Sequence, residues 1–189
     1  GKKFQDSAIA IGNFDGFHLG HQRVIKKGKQ IAKKNKLKFG LMVFQPLPIM
    51  FFNKKLKNYR ISNLNQKINY FKNFKVDFLI VKKFNLKFSK IKALNFVKNI
   101  LYKKLNAKYI FVSNNFRFGN KREGNVDLLK GLQKKYKFKI IKPKPLKKKN
   151  KIVSSTLIRN LLTKGKIYNA NKLLSRCWSI EGKVQKGRN

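Results

Sequence analysis

Five short runs of large apolar residues, each followed by a stretch with helical spacing, limit what this chain can fold into. The runs are "SAIAIG" (Ser7–Gly12), "KFGLMVF" (Lys38–Phe44), "DFLIVK" (Asp77–Lys82), "KYIFVS" (Lys108–Ser113) and "FKIIKP" (Phe138–Pro143). Nearly continuous apolar runs are what strands show when both faces of a parallel sheet are covered. Helical patterns lie between and beside them, over Leu19–Lys34, Asn65–Phe74, Ser89–Leu105 and Val126–Tyr136. In the third, Ile91, Leu94, Val97, Leu101 and Leu105 recur at helical spacing with lysines mostly between them. Strand–helix alternation at this rhythm predicts a doubly wound α/β sheet with right-handed crossovers.

Beyond Lys142 the chain changes character. "KPKPLKKKNK" (Lys142–Lys151) reads as a loop or edge element. Ser154 or Ser155 can then cap a helix starting near Thr156, which Gly165 can end, and a second short helix is expected over Ile167–Leu174. The last stretch, "CWSIEGKVQKGRN", has the alternation of a new β-strand without a partner. The single cysteine, Cys177, excludes an internal disulfide framework. With no long apolar run and no leader-like N-terminal stretch, a cytoplasmic protein without a membrane anchor is the expectation.

The chemistry concentrates in "GNFDGFHLGH" (Gly12–His21), which holds both histidines of the chain, three glycines and one of its six acidic residues. This segment leaves the first strand at its carboxyl end and opens the next helix, where ligands bind in open parallel sheets. Gly12, Gly16 and Gly20 allow tight turns and close approach of backbone to ligand. A helix N-terminus supplies free N–H groups and a positive dipole end, which suit phosphate. His18 and His21, three apart, project to one side of the first turn and form a donor pair for phosphate oxygen. Ordinary packing histidines, with Asp15 as a turn residue, are the plain alternative. A tetrahedral metal site lacks further histidines and cysteines to complete it, so no metal ligands are assigned.

The chain carries 48 basic residues against 6 acidic, a formal charge of +42. Such a balance can mark a nucleic-acid partner. Here the excess is nearly all lysine, accompanied by abundant Asn, Ile and Phe, all of which A/T-rich codons supply. Arginine, the better fork for phosphates and guanine edges, is scarce and scattered. The charge is therefore weak evidence of function: compositional drift with a phosphorylated small molecule as substrate is the expectation, and a nucleic-acid partner is not expected despite it.

"GNFDGFHLGHQRVI" resembles the H-x-G-H signature of the nucleotidyltransferase superfamily, in the wording of the FMN adenylyltransferase module of bacterial FAD synthetases. "NNFRFGNKREGNVDLL" (Asn114–Leu129) resembles that family's D/N-F-x-F-G segment, and "VSSTLIRNLLTKGKIYNANKLLSRCWSIEGKVQKG" (Val153–Gly187) its S-S-T-x-I-R segment, in the family's order. The resemblance runs from about Ser7 to the end, where "GKVQKGRN" is similar to the opening of the family's riboflavin kinase barrel. It implies a Rossmann-like sheet of the nucleotidyltransferase type over residues 1–175. Residues 176–189 would begin a truncated β-barrel kinase domain, covalently linked in the full-length protein.

The implied reaction is FMN plus ATP giving FAD and pyrophosphate, by in-line attack of the FMN phosphate on the α-phosphorus. That phosphate is already largely ionised, with a second pKa of about 6, so positioning and charge stabilisation carry the catalysis. His18 and His21 would contact the ATP phosphates, with Gly12, Asn13, Phe14 and Gly20 shaping the ATP-binding loop. Ser154, Ser155, Thr156 and Arg159 would hold the departing pyrophosphate. Mg²⁺ would bridge phosphate oxygens, with Asn115 able to reach phosphate or metal. On the flavin side, Pro46, Pro48 and Phe116 match the family, Phe118 being the better candidate for core packing. Leu47 stands where histidine is common, and Ser113 where glycine is. Two rivals remain open: another H-x-G-H nucleotidyltransferase with a different acceptor, and a catalytically inactive RNA-binding relative.

Overall fold

The computed structural model describes residues 4–56, 59–182 and 187. Five parallel strands form one sheet: β1 (Ser7–Ile11), β2 (Lys38–Gln45), β3 (Phe78–Lys83), β4 (Tyr109–Phe111) and β5 (Lys139–Ile141). Their order is β3-β2-β1-β4-β5. The chain winds outward from β1 through β2 to β3, then returns to the other side of β1. The switch point is therefore between β1 and β4, and the crevice beyond their carboxyl ends is where such sheets take ligands.

Every residue of β1 is buried, as the central position demands. Its side chains alternate between two cores. Ile9 and Ile11 pack with Val97, Leu101 and Leu129 on one face, while Ala8 and Ala10 pack with Ile25, Ala32 and Phe71 on the other. The alanines leave room for the close-lying helix α1 (Leu19–Lys34). Phe39 of β2 lies so near Gly28 of α1 that a Cβ there would fall 2.1 Å from the ring. After β2, a turn through the cis Gln45–Pro46 peptide leads to a short helix α2 (Pro48–Phe52) with Pro48 in its first turn. Helix α3 (Leu64–Asn73) follows, opened by a reciprocal cap between Asn63 and Gln66, and covers the α1 face beside β2.

The stretch Ser89–Leu105, expected as one helix, is divided. Short helices α4 (Leu86–Ser89) and α5 (Ala93–Asn95) precede a π-helical segment, Phe96–Lys104. Val126–Tyr136 likewise breaks at Leu132 into α6 (Val126–Gly131) and α7 (Gln133–Tyr136). "KPKPLKKKNK" is the edge element its composition allowed: β6 (Lys147–Lys148) and β7 (Lys151–Ile152) form a small antiparallel ladder. Helices α8 (Ser155–Thr163) and α9 (Ile167–Leu174) pack through Ile158, Ala170 and Leu174 against Ile61, a third, small core. No strand forms over 177–182; the remainder of that expected strand and of "GKVQKGRN", residues 183–186 and 188–189, lies outside the described residues.

Candidate active site

The segment Gly12–His18 fills the crevice at the switch point and ends as the cap of α1. It is contorted: Phe14, Gly16 and Phe17 have φ of 46°, 78° and 43°. The left-handed region is costly for a bulky side chain and persists only where surroundings over-determine it. Here the carbonyls of residues 13–18 all accept hydrogen bonds, from within the loop or from the elements packed against it. Asn13 O accepts from Lys67 Nζ at 3.4 Å and Phe14 O from Phe17 N at 3.3 Å. Asp15 O accepts from Ser155 Oγ at 2.8 Å and Gly16 O from Arg176 Nη2 at 2.8 Å. Phe17 O accepts from Gln22 Nε2 at 3.2 Å, and His18 O from the amides of His21 and Gln22. With its carbonyls turned inward, the loop offers its edge and the first turn of α1 to a ligand.

His18 is the N-cap of α1, and its Nδ1 accepts the His21 amide at 3.4 Å. In the neutral ring that bond places the proton on Nε2, making His18 an outward hydrogen-bond donor. The His18 and His21 rings stack at 3.7 Å between centroids, and Phe14 lies 5.1 Å from His21 on its other flank. A Cβ at Gly20 would fall 3.1 Å from the His18 ring and 3.2 Å from Val153 O. This is the close approach that the third glycine permits. Burial pushes the His18 pKa down to about 4, and the nearby Arg176 and Arg159 push the same way. His21 is also held well below the usual histidine range, by burial first and then by His18 and Lys67. Its Nδ1 is enclosed without a partner among the described residues. Both imidazoles are thus held neutral in the free protein. No acidic residue stands in the first turn of α1, so its positive end is uncompensated.

Asp15, 1% exposed, anchors the surroundings. Its carboxylate accepts from the amides of Ile61 and Ser62 and from Arg159 Nη2 at 2.7 Å. Arg159 also donates Nε to Tyr59 O and lies 3.8 Å over the Tyr59 ring, leaving Nη1 as its free donor among the described residues. Lys67 of α3 is completely buried, and burial lowers its pKa despite the favourable Asp15 charge. Arg60 is the other cation facing it, and with the Gln45 amide turned over so that its oxygen faces the guanidinium, Nη1 and Nη2 reach that oxygen at 3.1 Å. Arg176 lies 3.9 Å over Tyr70. Arg159 and Arg176 thus stand near His18 and Lys67 near His21, with Arg60 beyond Lys67 and the Asp15 carboxylate among them. Such a site repels metal cations and attracts a polyanion.

The other residues singled out from the sequence fall as follows. Gly12, Asn13 and Phe14 line the loop itself. Ser154 caps α8 by accepting the Leu157 amide, Ser155 reaches back to Asp15, and Thr156 is exposed in the first turn of α8. Asn115, exposed, accepts a hydrogen bond from Ser113 Oγ at 2.9 Å just beyond β4. Phe116 is half-buried and stacks on Phe118, which is buried in the core. Pro46 and Pro48 flank the buried Leu47 just beyond β2. Topology brings the β2 and β4 exits to the same sheet edge as the histidine loop, on either side of it.

Lys67, Arg60, Arg176, Gln22 and the anchoring part played by Asp15 were not apparent from the sequence. A single buried lysine has no signature among 48 basic residues. Lys67 did stand four positions before the core residue Phe71, on the face of α3 that packs inward.

No group of three or more His, Cys, Asp or Glu side chains among the described residues could hold a metal. No described helix is long and apolar enough to cross a membrane. A family model described as FAD synthetase matches residues 2–157. A relative named bifunctional riboflavin kinase/FMN adenylyltransferase from Buchnera aphidicola subsp. Schizaphis graminum is 46% identical over 183 residues, 96% of this chain and 59% of the relative. Relatives of the same name match at 34% from Haemophilus influenzae, over 97% of this chain and 59% of the relative, and at 31% from Escherichia coli K12, over 95% and 57%. The chain spans under two thirds of the length of these relatives. A crystal structure described as a macrolide-efflux protein from Streptococcus pneumoniae shares the fold, with a TM-score of 0.79 and 26% identity over 91% of this chain and 57% of that one. The family model, the relatives and the shared fold agree: the chain belongs to the FAD synthetase family.

Proposed function

We propose that this chain is an FMN adenylyltransferase, taking FMN and the Mg²⁺ complex of ATP to FAD and pyrophosphate. What carries the assignment is the arrangement of charge: two stacked neutral imidazoles at an uncompensated helix N-terminus, among four cations and one carboxylate. A triphosphate is the ligand that such a site stabilises most.

In the proposed reaction an FMN phosphate oxygen attacks the α-phosphorus of ATP. The new P–O bond forms as the bond from the α-phosphorus to the bridging oxygen of pyrophosphate breaks. His18 donates from Nε2 to a phosphate oxygen, and the approach of that anion raises the pKa that burial had lowered, so the ring gains charge where charge develops. His21 stacks behind it and aligns it. Ser154 and Thr156 at the start of α8, with Arg159 Nη1, hold the β- and γ-phosphates as they depart. Asp15 is fully engaged by Arg159 and two amides, so the protein offers Mg²⁺ no carboxylate at the loop. Carried by the ATP phosphates, Mg²⁺ would neutralise their charge, and Asn115 is the side chain that would reach it. The flavin lies across the sheet edge between Pro46, Pro48 and Phe116. A riboflavin kinase domain, its start expected at residue 176, and a cytoplasmic location complete the proposal.

The test is chromatographic: purified chain, FMN and MgATP, with FAD measured over time. FAD from the wild type, and a loss of about 100-fold in kcat for His18→Ala with FMN affinity little changed, is the expected result. A folded protein that binds ATP and makes no FAD would move the assignment to another acceptor, pantetheine phosphate or nicotinamide mononucleotide first. Salt-sensitive RNA binding with no ATP turnover would leave the RNA-binding relative.

A further inference from the structure

We infer that Arg176 is a positioning residue for adenylyl transfer: its guanidinium bridges the carbonyls of Gly16 and Phe17 and holds the histidine loop in its reactive shape. The inference rests on the transfer reaction proposed above and assigns a part to a residue outside the histidine loop and outside "SSTLIR" itself. After α9 the chain turns at Ser175, in the left-handed region, and runs back across the base of the loop. Trp178 Nε1 donates to Ile61 O at 3.0 Å, and Gln66 Nε2 donates to Ser179 O at 3.1 Å. These contacts pin the returning segment to the same Ile61 backbone whose amide binds Asp15.

Within that segment Arg176 is fixed on every side. Its guanidinium lies on the Tyr70 ring at 3.9 Å, and Tyr70 stacks in turn on Phe17. Nη2 donates to Gly16 O at 2.8 Å, and Nη1 to Phe17 O at 3.5 Å and Leu174 O at 3.2 Å. Gly16 and Phe17 are two of the three loop residues at positive φ, and they immediately precede His18. Their peptide planes set the direction in which the His18 backbone enters α1, hence where both imidazoles point. A planar fork can hold two carbonyls at a fixed separation, whereas an ammonium offers a point charge without that geometry. Arg176 makes none of these contacts through a carboxylate, so its charge also adds to the field at His18, while Nη1 and Nη2 hold the loop and Nε is buried without a partner among the described residues. It acts on the reaction through the loop, and needs no contact with substrate.

Steady-state kinetics with FMN and MgATP varied separately test this in the wild type, Arg176→Lys, Arg176→Gln and Arg176→Ala. The expected result is a fall of about 10–100-fold in kcat for Gln and Ala, the size of effect that small misplacements of reacting groups produce, with the KM for FMN unchanged. Lys should recover only part of the loss. Guanidinium ion at sub-denaturing concentration should restore part of the Arg176→Ala rate, a response that general loosening of the fold would not give. Unchanged kcat in folded Arg176→Ala overturns the inference, and so does a loss that guanidinium leaves untouched. A readout independent of turnover separates this from the proposed reaction. In ¹⁵N-histidine NMR spectra of the free protein, Arg176→Ala should shift both imidazoles, and guanidinium should shift them back. If the wild type makes no FAD, the proposed reaction fails, and the NMR result alone decides whether Arg176 positions the loop.

Discussion

His18 stays neutral at pH 7 because burial, helped by Arg176 and Arg159, takes its pKa from 6.5 to about 4. The unfolded chain takes up a proton near pH 6.5 and the folded chain does not until about 4. The stability tied to this residue is therefore complete above pH 6.5 and is lost as pH falls through that window. The shift corresponds to at most about 3 kcal/mol. Denaturant unfolding between neutral pH and pH 4 should show this slope, and His18→Gln should make it shallower, leaving the part that buried His21 contributes; an equal slope in the variant would assign the effect elsewhere. Asp15→Asn should cost about 3 kcal/mol, because it strips the counter-charge from Arg159, whose side chain is four-fifths buried. Chemical denaturation checks it, and a cost below about 1 kcal/mol would mean that the pair acts only as an ordinary exposed one. The two histidines could be read from the sequence because histidine is rare here and the spacing fits one helical turn. Lys67 and Arg176 could not, since their work depends on burial and on contacts with a distant loop that composition does not encode.

At the level of elements, the sequence located what apolar periodicity controls and missed what tertiary packing controls. The expected α1 and α9 match the observed bounds, and the five strands fall where the apolar runs lie. The Ser89–Leu105 helix does not survive because Leu94, which the periodicity counted as core, is 53% exposed. Packing instead follows Val97, Leu101 and Leu105, spaced by four, and the backbone widens into π turns there, as the Leu105 amide bonding to Ile100 O shows. α1 is positioned by Gly28 against Phe39. Gly28→Ala should overpack that contact and cost about 1–3 kcal/mol in thermal or denaturant unfolding. Because α1 carries both histidines at its start, the same substitution should also lower kcat for FAD formation. Full stability in the variant would show that Phe39 can turn aside without cost.

Over the whole molecule, 48 basic residues face 6 acidic ones, and the described residues contain three ion pairs. Self-repulsion at this density opposes compaction. Raising ionic strength from about 10 mM to about 150 mM shortens the screening length from about 30 Å to about 8 Å, so the melting temperature should rise over that range. Calorimetry checks this, and a flat or falling Tm would show that the lysines are spaced too widely to matter. Net charge says nothing of place: four of the basic residues, Arg60, Lys67, Arg159 and Arg176, gather at the histidine loop and its surroundings. The locking of the loop has one further consequence, in the order of synthesis. Gly16 O meets its partner across 160 residues, and Asp15 O across 140. At roughly 5–20 residues per second, a nascent chain would wait on the order of 10–30 s between making its histidine loop and making the arginine that sets it. The first chemically distinctive segment to leave the ribosome is thus among the last to acquire all of its contacts.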